Sequence, residues 1–471
     1  MSQDNDSRFA IVATLLAFGV VGGISLLLWT LTGRVDRAVQ LQANDGSIVL
    51  SESLPEALKS RVSVGEQSLF SGGSAVKAEG LEAIASGEFA SAVTVFNSAL
   101  SDDPNDPETF IYRSNARIGN EQAYVIAVVA PAGDASPIGL EILRGAAQAQ
   151  DDINRGGGID GTPVRLVLVN DGNDPETAKT LASTLVDNPM ILGVVGHYSS
   201  DVTLATAPIY EQGELVTITP VSTAVDLSGF SPYLYRTVPT DSFAAAALAA
   251  YMLYYREDRQ AAVFFDSTSD LSDSLKDEFN AFVSAWGGDI VNEYDMADSE
   301  FSADDVVGGE DADVLMLAAS PDTLEASAAI IEANGGSKPV LGGDEIYNRY
   351  ILEETGSDAQ ALTVAVPWHL LSRDTEADFV ETSRDLWKGD VSWRTATAYD
   401  AIIAIAAGLT GDASRAGLKA ALDDNNFSVD SATGPINFLP SGDRRQVDRL
   451  VQVEAGTRSG TGYDFVPFTL D

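Results

Sequence analysis

From residue 124 onward the chain alternates between two hydrophobic periods. Short apolar runs at 124–130, 164–169, 191–195, 215–219, 261–265, 314–317, 339–341 and 362–366 predict buried strands. Between them, apolar residues three and four apart predict helices at 139–153, 175–187, 201–210, 242–255, 271–286, 321–334, 375–386 and 397–409. Such alternation specifies parallel sheets with helices on both faces, an α/β fold. Residues 122–471 are more than one sheet of this kind needs, so two lobes are expected.

The pattern upstream is different. Residues 9–32 carry no charge and lie between Arg8 and Arg34. As a helix they span roughly 36 Å, enough to cross a hydrocarbon core of about 30 Å. The run is longer than the roughly 7–15-residue centre of a cleaved signal peptide, so a retained transmembrane anchor is expected. Residues 33–74 read as a linker ending in Ser71-Gly72-Gly73-Ser74, with one short helix near 54–62. Residues 75–119 predict two antiparallel helices and a third over 106–118. The spacing of Gly80, Ala92, Phe96, Ala99 and Pro104 resembles a tetratricopeptide repeat, with Glu79 out of pattern. A plain helical hairpin fits the same positions.

Composition narrows the partners. The 471 residues carry a formal net charge of −42, which disfavours nucleic acid and anionic lipid surfaces. With no cysteine, disulfides, thiolate metal sites, Cys nucleophiles and lipid attachment through an N-terminal Cys are excluded. The acidic run Asp102-Asp103-Pro104-Asn105-Asp106 lacks the spacing of a calcium loop. No motif calls for a cofactor or a metal.

The chemistry gathers at 191–223. Two consecutive predicted strands each end in a hydroxyl-rich loop, Tyr198-Ser199-Ser200 and Val221-Ser222-Thr223, and each loop leads toward a possible helix. In a parallel sheet both loops lie on the carboxyl edge, where ligands bind. Helix-start N–H groups beside hydroxyls suit a small carboxylate. The same residues could simply cap helices.

An ordered set of motifs resembles the type I periplasmic binding protein fold, in particular the branched-chain amino-acid (Leu/Ile/Val) binding family. The motifs are Gly145 with Asp152-Ile153-Asn154 and Gly156–Gly161, Asp171 with Asp174-Pro175, Gly196-His197 with Ser199-Ser200, and Pro220 with Thr223-Ala224. They continue with Tyr235-Arg236-Thr237 and Asp241, Tyr399-Asp400-Ala401, and Gly434-Pro435-Ile436 with Phe438 and Gly442-Asp443-Arg444. The resemblance implies two doubly wound parallel sheets joined by three crossovers. Lobe 1 would hold about 124–241 and 362–445, and lobe 2 about 242–361 and 446–471.

The resemblance also implies site roles. Ser200 and Thr223 match positions that hold a solute carboxylate, and Val221 matches one whose carbonyl faces its ammonium. Asp344 stands where the family has an ammonium-binding Glu; Glu345 is the fallback, and a helix cap is the alternative for either. Tyr198 and Asp270 match wall positions. Ser320 stands near a family aromatic, which makes the pocket roomier or more polar. Trp368 and Trp393 are expected in the core or at the mouth.

The implied function is membrane-anchored, extracytoplasmic amino-acid binding for ABC-type uptake, with the bulk of the chain in the periplasm. This overrides the arginines at 34 and 37, which by themselves favour a cytoplasmic bulk. Two rivals remain. A membrane-bound sensor or scaffold would use the helical repeat to engage a partner. An enzyme is disfavoured: there are two histidines, His197 matches a structural family position, and no nucleophile elbow, P-loop or dinucleotide fingerprint is present.

Overall fold

The computed structural model describes residues 54–70, 74–133, 136–372 and 377–468. The expected anchor at 9–32 and most of the 33–74 linker lie outside these residues. Among the described residues no helix is long and apolar enough to cross a membrane.

The chain enters through a 3₁₀ turn, Glu56–Arg61, and a two-residue strand β1 (Val62–Ser63). Three helices follow: α1 (Ala75–Ala85), α2 (Phe89–Asp102) and α3 (Pro107–Ile118). Gly80 has no side chain, so the Phe96 ring lies where a Cβ would reach it at 2.3 Å, and this closes the first two helices together. Asp106 caps α3 by accepting from Thr109 N, ahead of Pro107 in the first turn. Lys77 is buried against Glu108 at 2.6 Å and Asp106 at 2.8 Å, so its pKa is raised although burial alone would lower it.

These helices are built into the first lobe. Asn115 donates to Val64 O (2.9 Å) and Leu166 O (2.8 Å) and accepts from Leu166 N and Gln150 Nε2. Its amide acts as a short strand partner for an open sheet edge that would otherwise present unpaired groups.

The first sheet contains β2 (Tyr124–Val129), β3 (Val164–Val169), β4 (Ile191–Val195), β5 (Thr217–Thr219) and β6 (Leu234–Arg236), in the order β1-β3-β2-β4-β5-β6. All its pairings are parallel except β1 with β3. Strands β2 and β3 are apolar on both faces because helices cover both. The covering helices are α4 (Ser136–Arg155), α5 (Pro175–Asp187) and α6 (Ser200–Gln212).

The second sheet contains β7 (Gln260–Phe265), β8 (Asp289–Asp295), β9 (Val314–Ala318), β10 (Val340–Gly342), β11 (Leu362–Val366), β12 (Arg449–Ala455) and β13 (Tyr463–Pro467). Its order is β13-β12-β11-β10-β9-β7-β8. The helices flanking it are α7 (Asp241–Ala250), α8 (Asp270–Ala285), α9 (Ala303–Val307), α10 (Leu324–Asn334) and α11 (Arg349–Thr355). Lobe 1 then receives α12 (Ala377–Trp387), α13 (Trp393–Gly408) and α14 (Arg415–Leu422). Helices α4 and α13 meet at Gly145, where a Cβ would lie 2.2 Å from Thr395 O.

Two expectations change. The sheets are mixed, because β12 pairs antiparallel with both β11 and β13 on the second and β1 pairs antiparallel with β3 on the first. Strand β11 bonds to β10 and β12, so residues 362–366 belong to lobe 2 and the second crossover follows them. Strands β1, β6, β8, β12 and β13 were not expected. Strand β8 is mostly exposed, and its sequence therefore lacks the apolar run that marks a buried strand.

Candidate functional site

Most of the ordered motifs form the frame of lobe 1. Asn154 pins α4 to β3 through both backbone groups of Val164 (2.7 and 2.9 Å). His197 is fully buried between Asp171 Oδ2 (2.7 Å) and Tyr210 OH (3.0 Å), a structural position. Arg444 pairs with Asp400 at 2.6 Å. Arg236 pairs with Asp443 at 2.5 Å and donates from Nη1 to the carbonyls of Thr223 and Ala224. That guanidinium shapes the loop after β5.

The four hydroxyls of the two loops have different duties. Ser199 caps α6, accepting from Val202 N. Ser222 ties the loops together, donating to Tyr198 O (3.0 Å) and meeting Thr203 Oγ1 (2.8 Å). Ser200 Oγ only accepts, from Ala224 N at 3.4 Å, so its proton is unused among the described residues. Thr223 Oγ1 is buried with no partner. Of the two hydroxyls expected to hold a carboxylate, Ser200's proton is unused, and Thr223's forms no hydrogen bond although the Asp241 carboxylate lies beside it. Among the described residues the Val221 carbonyl accepts no hydrogen bond.

The facing wall comes from lobe 2. After β10 the chain runs Gly343-Asp344-Glu345, and both acids are buried. Neither is a cap, because Asn348 performs that task for α11. Glu345 is occupied: Arg394 Nη2 lies 3.0 Å from its carboxylate, and Tyr198 OH donates to it across the cleft at 3.4 Å. The Asp344 carboxyl accepts no hydrogen bond among the described residues. Burial, then the neighbouring Glu345, hold its pKa well above the usual carboxylate range against the pull of Arg394. Asp241, buried at the first crossover, and Asp448, half-buried at the third, push the same way. Asp241 is itself raised to about 6 by burial, opposed by the Ser274 and Thr223 hydroxyls beside it.

Two expected ligand-binding residues have other partners. Asp270 is exposed at the start of α8, where its N–H donates to Asp201 Oδ1 of lobe 1 at 3.3 Å. It marks the outer rim of the interface between the lobes. Ser320 is buried, but its hydroxyl donates to Asp266 Oδ2 at 2.5 Å and caps a 3₁₀ turn. Trp368 and Trp393 are both core residues, and Trp393 lies beneath the Arg394 guanidinium at 4.4 Å. Arg394 was missed by the sequence reading. Its only signal is the sole cation of the helix that Ser392-Trp393-Arg394-Thr395 opens.

The lobes are closed on each other. Besides Tyr198–Glu345, Val225 N donates to Ser274 Oγ at 3.0 Å, and Arg458 on the β12–β13 hairpin pairs with Asp390 between α12 and α13.

Two α/β lobes, three crossovers and a buried polar cleft define a hinged solute-binding protein. The chain belongs to the periplasmic binding protein family, whose profile matches residues 124–459. It is 27% identical over 335 residues to a Leu/Ile/Val-binding protein of Escherichia coli, covering 69% of this chain and 88% of that one. An amino acid binding protein of Pseudomonas aeruginosa is 31% identical over 162 residues, which is 33% of this chain and 43% of that relative. The fold is similar to the crystal structure of an ABC transporter substrate-binding protein from Desulfitobacterium hafniense in complex with Leu. That likeness has a TM-score of 0.63 and 22% identity, and it covers 73% of this chain and all (100%) of that one.

Proposed function

We propose that this chain is an extracytoplasmic solute-binding protein that closes on a free α-amino acid for an ABC-type transporter, tethered by residues 9–32. One observation carries the reading: unused donors on lobe 1 (Ser200, Thr223) and an unbonded buried carboxyl on lobe 2 (Asp344) sit on the two walls of one closed cleft. The relatives named for amino acids support it.

The mechanism follows from the placement. Ser200 Oγ, Thr223 Oγ1 and the first N–H groups of α6 receive the solute carboxylate. The Val221 carbonyl and Asp344 receive its ammonium. Only the closed form offers both ends, so the solute favours closure by its differential affinity for that state. Charge-assisted bonds of about 1.5–3 kcal/mol each, less ordering costs, support a Kd near ~1 μM, or about −8 kcal/mol.

The test is calorimetry after a thermal-shift screen of the twenty amino acids. Asp344→Ala should weaken the best ligand by about 2–5 kcal/mol while the circular dichroism spectrum stays unchanged. Unchanged affinity would remove Asp344 from the site.

A further inference from the structure

Glu345 stands on lobe 2 but is held by two groups of lobe 1. Arg394 Nη2, in the first turn of α13, lies 3.0 Å from one of its carboxylate oxygens, and Tyr198 OH donates to the other at 3.4 Å. The same Nη2 donates to the Asp344 carbonyl at 3.5 Å, so Arg394 grips the backbone of that loop as well as its acid. Glu345, Arg394 and Tyr198 are each only 4% exposed. The Asp270–Asp201 and Arg458–Asp390 contacts, which also join the lobes, are exposed.

The protonation states suit the bonds. Burial lowers the Arg394 pKa, but Glu345, Tyr198 and Asp344 outweigh it and the net shift is upward, which keeps the guanidinium charged. Burial, then Glu345, hold the Tyr198 phenol well above its ordinary range, so it stays a donor. The guanidinium also lies 4.4 Å from the centre of the Trp393 ring, a favourable cation–π placement.

Every bond of this set joins protein groups across the cleft, so each is lost when the lobes separate. In an open cleft water reaches both charges. In the closed one they depend on each other and on Tyr198. Removing one partner of such a buried pair strands a charge in the closed form, at far greater cost than breaking a surface pair.

We propose that Glu345, Arg394 and Tyr198 form a latch between the lobes, which holds part of the population closed before any solute arrives. A solute then meets a cleft already biased toward its binding-competent form, and its apparent affinity rises with that fraction. The latch stands apart from the amino-acid reading, because no solute atom takes part in it.

The chain has no cysteine, so Ser183→Cys on α5 and Glu332→Cys on α10, both exposed positions, accept one nitroxide label on each lobe. Double electron–electron resonance on the full-length labelled protein without solute is expected to show a closed population. Arg394→Met and Glu345→Gln are each expected to lower the closed-to-open ratio at least about tenfold. Arg394→Met combined with Glu345→Leu leaves no unpaired charge and is expected to restore part of that loss. An unsubstituted protein that is wholly open without solute overturns the latch. So does a ratio unmoved by Arg394→Met and Glu345→Gln, with circular dichroism showing both variants folded. Failure to bind any amino acid would overturn the reading of the solute and leave these distances unaffected.

Discussion

At Asp344, a carboxyl accepts no hydrogen bond among the described residues and has three acidic neighbours there (Glu345, Asp241 and Asp448), opposed by Arg394. A raised carboxylate pKa favours the protonated carboxyl in the closed, empty form relative to an ordinary aspartate. A solute ammonium reverses this by favouring the charged state, so binding should release a proton. Affinity is therefore expected to rise with pH until the carboxyl ionises unaided. Calorimetry in buffers of different ionisation enthalpy measures the proton count. Asp344→Asn is expected to abolish the release and to raise the Tm of the ligand-free protein, since it removes a buried acid kept for binding. A lower Tm would show that the carboxylate serves the fold instead.

The helices and strands carry the site by close approach. Gly145 in α4 meets the backbone of α13 so tightly that any side chain must displace Thr395. Gly145→Val is expected to cost about 3 kcal/mol, read as a lower urea midpoint. The same contact fixes the start of α13, which carries Arg394, so ligand affinity should fall in parallel. The helical segment at 75–118 offered two readings from its spacing, a repeat or a hairpin. Its polar residues turn inward: Asn115 completes the edge of β3, and Lys77 is buried on two acids. These bonds make the segment a cap on lobe 1, a role that spacing alone does not disclose because the partners lie far off in sequence.

At the scale of the whole molecule, closure brings two like charges together. Asp201 on lobe 1 faces Asp270 on lobe 2, and burial together with that neighbour raises the Asp201 pKa to about 6. Relative to an open form with an ordinary carboxyl, the closed form is penalised only when Asp201 is ionised. The penalty is absent below about pH 4, grows between pH 4 and 6, and is complete above that. Solvent screens a half-exposed pair, so the effect is modest. Without ligand, the radius of gyration from small-angle scattering is expected to increase between pH 4 and 7. Asp201→Asn should hold it constant; a profile unchanged by that substitution would place the pH response elsewhere.

The alternation of strand and helix, the ends of β3, β4, β11 and α5, and the two hydroxyl loops on one sheet edge could all be read from the chain. Each depends on local periodicity and turn chemistry acting over a few residues. The resemblance favoured Asp344 over Glu345 and Ser200 and Thr223 over Ser199 and Ser222, but local periodicity and turn chemistry do not separate them. The transfer of β11 to the second sheet and the burial of Arg394 between the lobes were equally hidden. All of these turn on which distant group claims a hydrogen bond or a strand edge first. That competition is decided only when both lobes are packed and water has been excluded from between them.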